Sequence, residues 1–252
     1  MKNIKQIAIA LTLTAASSLI AAGTSTTPST GVTPAADQLL SSVDRTRNGW
    51  SSFTVDVKIN NFKKDKAVDT NEYQIFIKGT DRTLVKFQSP QDKGKSLLML
   101  EEGMWLYLPS ASRPIRVTPL QRLSGNANNG DIAQTNLAAN YSAKVAGEET
   151  VGGKASWVLD LTARRKNATY QAVRLWIDKK EMTPVQAEFR LTSGKPVKRV
   201  EYVEYDTYGS QRMVRKQVMY DLLRNEQKTI VEYRNYTQKD LADKLFNRNS
   251  MR

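Results

Sequence analysis

Phe53, Val55, Val57 and Ile59 alternate strictly with Thr54, Asp56 and Lys58. Successive side chains of a strand point to opposite faces, so this run predicts a strand with one dry and one wet face. The same signature returns at short intervals along the chain. It predicts strands at 52–60, 71–79, 82–89, 96–101, 103–108 and 113–117, then at 141–149, 155–163, 169–178, 183–192, 196–206, 211–222 and 227–236. Merging neighbouring segments gives about 11 strands. Many strands at this spacing indicate a sandwich or barrel, and the length of the later ones indicates a strongly curved antiparallel sheet.

Helical spacing is confined to short stretches. Leu39, Leu40 and Val43 recur at helical intervals within 35–47, arginines follow in the last turn, and Gly49 lies just beyond. Residues 130–140 read as a second short helix with Asp131 near its start. A third is expected over 240–246.

Taking the apolar phase of each strand as the inner one places Phe53, Val55, Val57 and Ile59 on one face, with Tyr73, Ile75 and Ile77, then Val85 and Phe87, and Leu98 and Leu100. The second half adds Trp157, Leu159 and Leu161, then Val185, Ala187, Phe189 and Leu191. Met104–Leu108 is apolar in both phases, Met104, Leu106 and Leu108 against Trp105 and Tyr107. That strand is expected to be covered on both faces.

The amino terminus changes the setting. Lys2 and Lys5 precede an apolar stretch from Ile7 to Ala22 that is diluted by Thr12, Thr14, Ser17 and Ser18. This is the pattern of a secretory signal peptide over residues 1–23, cleaved near Ala22 or Gly23, and it is too dilute for a membrane anchor. Thr24 stands where a lipidated cysteine would be, and the chain has no cysteine, so no thioether lipid anchor can form. Residues 24–36 are Thr, Ser, Pro, Gly and Ala with one Val, a composition that buries too little apolar surface to order itself. They predict a flexible leader, followed by a single domain over 37–252.

The chain has a net charge of +13, of which Lys2 and Lys5 supply two. Residues 164–252 hold 20 Lys and Arg against 11 Asp and Glu. A basic carboxy-terminal third suits anionic lipid headgroups or an acidic protein partner. Export argues against nucleic acid, and no nucleic-acid motif occurs.

Zero His and zero Cys remove the commonest general base, the thiol nucleophile and the usual soft metal ligands. No cofactor or metal is expected and the chain does not read as an enzyme. Glu101-Glu102 and Glu148-Glu149 are adjacent on extended chain, so the members of each pair point apart. Gly152-Gly153 opens no helix and reads as a hairpin turn, not a phosphate loop. A hydrolase would require a cleft-facing pair such as Asp160 with a Lys. Arg164-Arg165-Lys166 reads as a solvated loop.

Between Val85 and Arg116 the order is Phe87, Ser89-Pro90, Lys93-Gly94, an apolar strand, Trp105-x-Tyr107-x-Pro109, then Arg113-x-x-Arg116. Further on come Gly147-Glu148 with Gly152, Trp157-Val-Leu-x-Leu161, Trp176-Ile-Asp178 followed by Thr183-Pro184, and the hairpin Gly194-Lys-Pro-Val-Lys198. In this order, from about residue 70 to 236, the chain closely resembles the outer-membrane lipoprotein-sorting family of LolA-like periplasmic lipoprotein carriers.

That resemblance implies a half-open antiparallel β-barrel with short helices as a lid. It implies a monomeric periplasmic carrier that binds lipid or lipoprotein acyl chains and shuttles them from an inner-membrane transporter to an outer-membrane acceptor. The cavity would be lined by Phe53, Val55, Val57, Ile75, Ile77, Val85, Phe87, Leu98, Leu100, Leu106, Trp157, Leu159, Leu161 and Phe189. Arg113 and Arg116 would cap a strand end or contact a partner or headgroup. The alternation alone describes a filled core, whereas the resemblance implies a cavity. A filled barrel would favour an accessory or scaffold protein of the same fold that works with an inner-membrane transporter.

Overall fold

In the computed structural model, residues 34–133, 136–166, 168–224 and 227–251 are described. The predicted signal peptide and most of the predicted leader lie outside the described residues.

The first element is α1 (Ala36–Arg45), which buries Leu39, Leu40 and Val43. Then come β1 (Ser52–Lys63), β2 (Lys66–Lys78), β3 (Arg82–Phe87), β4 (Ser96–Leu100), β5 (Gly103–Tyr107) and β6 (Ile115–Val117). A small hairpin of β7 (Arg122–Ser124) and β8 (Ala127–Asn128) leads into α2 (Asn129–Ala133) and α3 (Leu137–Asn140). The second half is β9 (Tyr141–Val151), β10 (Lys154–Ala163), β11 (Ala172–Asp178), β12 (Pro184–Arg190), β13 (Pro196–Tyr208), β14 (Gln211–Asp221) and β15 (Gln227–Gln238).

All the predicted strands form, and none merge. Thirteen make one antiparallel sheet in the order β6-β5-β4-β3-β2-β1-β15-β14-β13-β12-β11-β10-β9. The expected number of about 11 is therefore too low, because every predicted segment remains a separate strand, divided from the next by a turn or loop. Lys64 and Asp65 both adopt positive φ between the paired Lys63 and Lys66, and Gly152 and Gly153 do the same between Val151 and Lys154. Positive φ at both central residues is the two-residue turn whose twist matches that of the flanking strands.

The first and last strands, β1 and β15, lie side by side at the middle of the sheet, and β6 and β9 are its edges. The sheet does not close, so the fold is a half-open barrel. The predicted second helix is two short helices, α2 and α3, and the predicted third is a 3₁₀ turn, Asp243–Phe246. β7 and β8 have no counterpart in the sequence prediction. This hairpin is fastened to the sheet through Asn61, whose Nδ2 donates to Ser124 Oγ at 2.8 Å and whose Oδ1 accepts from Thr229 Oγ1 at 2.8 Å.

Two apolar layers sandwich β3–β5. On the inner side Val85, Leu97, Met99 and Met104 join the main core with α1 and the long strands. On the outer side Leu84, Leu98 and Trp105 pack against Leu241, Phe246 and Met251 from the carboxy-terminal segment, with Leu100 alongside. Strand β5 is thus covered on both faces, as its two apolar phases require. Leu98 and Leu100 were expected on the inner face and lie on the outer one. The run Ser96–Leu100 is nearly all apolar, and period two cannot assign a phase to it.

Candidate functional site

Most of the apolar positions predicted to face inward do so. Phe53, Val55, Val57, Ile75, Ile77, Val85, Trp157, Leu159 and Leu161 are buried in the main core, with Phe87, Leu106 and Phe189 packed against it. Leu191 instead lies beyond the end of β12 and is 49% exposed.

Among the described residues these side chains are met by other apolar groups. Leu39, Leu40 and Val43 of α1, with Ile132, Ala133 and Leu137 of the α2–α3 segment, occupy the concave side. Beside them lies a small cavity of about 30 Å³ bordered by Arg47, Asp131, Tyr170, Phe189, Tyr202 and Gln217, among others. That space suits about one water molecule.

These helices are held by polar contacts, a plug on the concave side, and of the residues involved only Asp131 stands out in the sequence, as an acid near a helix start. Asp44, buried at the end of α1, accepts the backbone N–H groups of Leu137 at 2.7 Å and Ala138 at 2.8 Å. It thereby caps α3 from another element, since the first N–H groups of a helix have no partner within it. Burial pushes the Asp44 carboxyl up to about 6, against the opposing pull of those N–H groups and of Arg47.

Arg47 Nη2 donates to the carbonyl of Asp131 at 2.9 Å, and Thr83 Oγ1 donates to the carbonyl of Ala133 at 3.0 Å. The Asp131 carboxylate forms a buried ion pair with Lys198 of β13. It also accepts the Asn128 N–H at 2.8 Å, the reach-back bond of a capped helix start. Tyr170 contacts the same oxygen at 3.4 Å, and burial first, then Asp131, pushes its phenol well above the usual range. Tyr202 is pushed up to about 12, chiefly by burial, so it remains a neutral phenol beside Arg47. Gly130 fits because a Cβ there would run into the Thr169 side chain.

The open seam of the sheet holds a second space. A cleft of about 380 Å³ runs from the β4–β5 hairpin and β6 to α3 and Arg165, and is lined by Met99, Leu100, Met104 and Val117. Arg165 Nη2 and Glu101 Oε1 bridge it at 2.8 Å. Arg116 lines this cleft, donates to the Glu102 carbonyl at 3.0 Å and lies 5.8 Å from the Trp105 ring centre. Arg113 is exposed on the connection before β6.

Acid–base candidates are dispersed. Asp160 receives two hydrogen bonds from Arg174, at 2.8 and 3.0 Å, on the solvent side. Arg174 holds its carboxyl below the ordinary range. Glu148 pairs with Lys179 and Glu149 accepts from the Trp176 indole at 2.8 Å. Among the described residues no group of three or more acidic side chains is arranged to hold a metal ion, and no helix is long and apolar enough to cross a membrane.

The LolA superfamily protein NE2245 of Nitrosomonas europaea has the same fold, with a TM-score of 0.80 and 31% identity over 86% of this chain and 99% of that one. The chain belongs to the LolA superfamily. A family model described as that of an uncharacterized protein also matches residues 79–252. Two further structures share the LolA-like fold. A DUF1329 family protein from Desulfovibrio piger has a TM-score of 0.74 at 19% identity, covering 86% of this chain and 97% of its own. A domain assigned to outer membrane lipoprotein sorting from Vibrio parahaemolyticus has a TM-score of 0.73 at 18% identity, with the same two coverages, 86% and 97%. No curated protein matches the chain at a significant level.

Proposed function

We propose that the protein is a periplasmic carrier that takes lipid, or the acyl chains of a lipoprotein, onto the concave face of its sheet and moves them between the inner and outer membranes. The observation that carries this reading is the way the concave face is covered. An apolar sheet face is occupied by short helices that are held at their ends by Asp44, Arg47, Thr83 and Lys198, and are not woven into the sheet.

Exchanging the plug for an acyl chain keeps the face dry. Each buried CH₂ contributes roughly 0.8 kcal/mol, so a partly enclosed chain supplies enough affinity to offset the release of those contacts. The cycle needs no covalent step. The structure described would be the unloaded state, an inner-membrane transporter the donor and an outer-membrane component the acceptor. The inward residues from Phe53 to Phe189 would line the loaded cavity, and Arg116 at the seam would face a headgroup or partner.

Mass spectrometry of lipid bound to protein isolated from its native cells tests the proposal, with bound lipid as the expected result. No bound lipid, together with no uptake of fluorescent acyl probes, would overturn it. The residual cavity of about 30 Å³ favours a second reading, an accessory protein of the same fold whose barrel stays filled while it works beside a transporter. Under that reading the plug does not move when acyl probes are added.

A further inference from the structure

Among the described residues six large apolar side chains are strongly exposed: Val68, Ile115, Leu120, Leu191, Val203 and Leu223. Three of them, Leu120, Leu191 and Leu223, line one groove of about 440 Å³. They are 57%, 49% and 56% exposed and come from three separate connections: the one before β7, the β12–β13 hairpin and the β14–β15 turn. Isolated surface leucines are ordinary, but three converging from unrelated loops form a patch.

Basic side chains outnumber acidic ones among the groove's described residues. Arg122 and Lys166 line the groove and are exposed, and Lys195 and Arg224 are exposed beside Leu191 and Leu223 in the same two turns. Arg190 also lines it but is paired with Glu188 at 2.8 Å. Asp221 is the one acid among the groove's residues, and its Oδ1 accepts the backbone N–H groups of Leu223 at 2.8 Å and Arg224 at 3.2 Å. That carboxylate therefore shapes the turn that presents Leu223.

Exposed leucines ringed by cations match the outer layer of an anionic bilayer, where apolar side chains enter the acyl boundary and Lys and Arg meet headgroup phosphates. An acidic protein would satisfy the cations but leave the leucines needing an apolar counterpart. We infer that this end of the half-barrel docks on the surface of an anionic phospholipid bilayer through Leu120, Leu191 and Leu223, with Arg122 and Lys166 on the headgroups. The inference does not rest on the proposed cargo and stands whether or not the concave face loads lipid.

Protein isolated from its native cells is to be floated with phosphatidylcholine vesicles, with and without phosphatidylglycerol. Binding is expected to the anionic vesicles and to weaken as salt rises. The variant Leu120→Ser/Leu191→Ser/Leu223→Ser should bind about tenfold more weakly or worse. Arg122→Gln/Lys166→Gln should lose roughly thirtyfold, since each basic residue near an anionic surface is worth about 1 kcal/mol. All five positions are exposed, so circular dichroism should show both variants folded. Equal binding by the serine variant, or binding without dependence on phosphatidylglycerol, would overturn the proposal. So would a vesicle-free dimer that the serine variant abolishes, because the patch would then meet a second copy of the chain. Acyl-probe uptake in solution should be the same in all variants, which separates this test from that of the carrier reading.

Discussion

Arg47 and Asp131, 84 positions apart, meet on the concave side, where the guanidinium donates to the Asp131 carbonyl at 2.9 Å. The same aspartate's carboxylate is taken by Lys198. One residue of α2 is thus held through its main chain by Arg47, just beyond α1, and through its side chain by β13.

Arg47→Met keeps the aliphatic stem and removes the donor. A hydrogen bond from a charged group contributes about 1.5–3 kcal/mol. The variant should lose stability of that order in urea unfolding, and hydrogen exchange should accelerate at residues 129–133 before the rest of the sheet. Uniform protection across α2 and the sheet would show that the contact does not hold the plug.

Lys198→Met leaves the Asp131 carboxylate buried with only its hydrogen bonds from Asn128 and Tyr170. Breaking one side of a buried pair costs about 3–5 kcal/mol. Adding Asp131→Asn should recover part of that loss, so the two substitutions should be clearly non-additive in a double-mutant cycle.

Asp44 supplies a pH dependence of defined sign. Its carboxyl has an ordinary value of 3.8 and titrates at about 6 in the folded chain, so the folded state binds this proton more tightly than the unfolded state. The stability it contributes is complete below 3.8 and is lost as pH rises through about 6. Relative to Asp44→Asn, the natural chain should therefore lose stability between pH 4 and pH 7, by on the order of 3 kcal/mol. A difference between the two proteins that stays flat across this range would rule out the buried carboxyl as the source.

Gly130→Ala places a methyl group against Thr169, a buried, branched and stiff side chain. The helix α2 has to shift, so thermal stability should fall and acyl-probe uptake should rise if the plug is the gate. A fall in stability with unchanged uptake would support the filled-barrel reading.

Leu98→Ala and Leu159→Ala remove the same side chain from opposite faces. Both should cost about 2–5 kcal/mol, as core truncations do. Only the inner one, Leu159, should alter probe uptake, because Leu98 packs against Phe246 and Met251 on the outside. Equal effects on uptake would mean the two layers are not functionally distinct.

The strands were legible because a half-buried sheet writes its two faces into alternating positions, as in Phe53–Ile59. Where both faces are buried, as at Leu97–Leu100, that code vanishes, and Leu98 and Leu100 fell on the wrong side. The β7–β8 hairpin was invisible because its three- and two-residue strands are too short to carry a period, and side-chain hydrogen bonds to Asn61 hold it. The plug contacts were hidden for another reason. Asp44, Arg47 and Lys198 look like any surface charges in a basic chain, and only the folded topology brings them together. Asp131 alone left a trace, as an acid near a helix start.

The pairing of β1 with β15 ties residues 53–63 to 227–238 at the centre of the sheet. Closing so long a loop is entropically slow, and the twelve other strands have no finished centre to dock on until the last one arrives. The centre of the sheet is therefore completed only when β15 pairs with β1, whatever has already formed on either side. Long-range pairing of this kind, and not a disulfide, is what joins the two halves of the sheet.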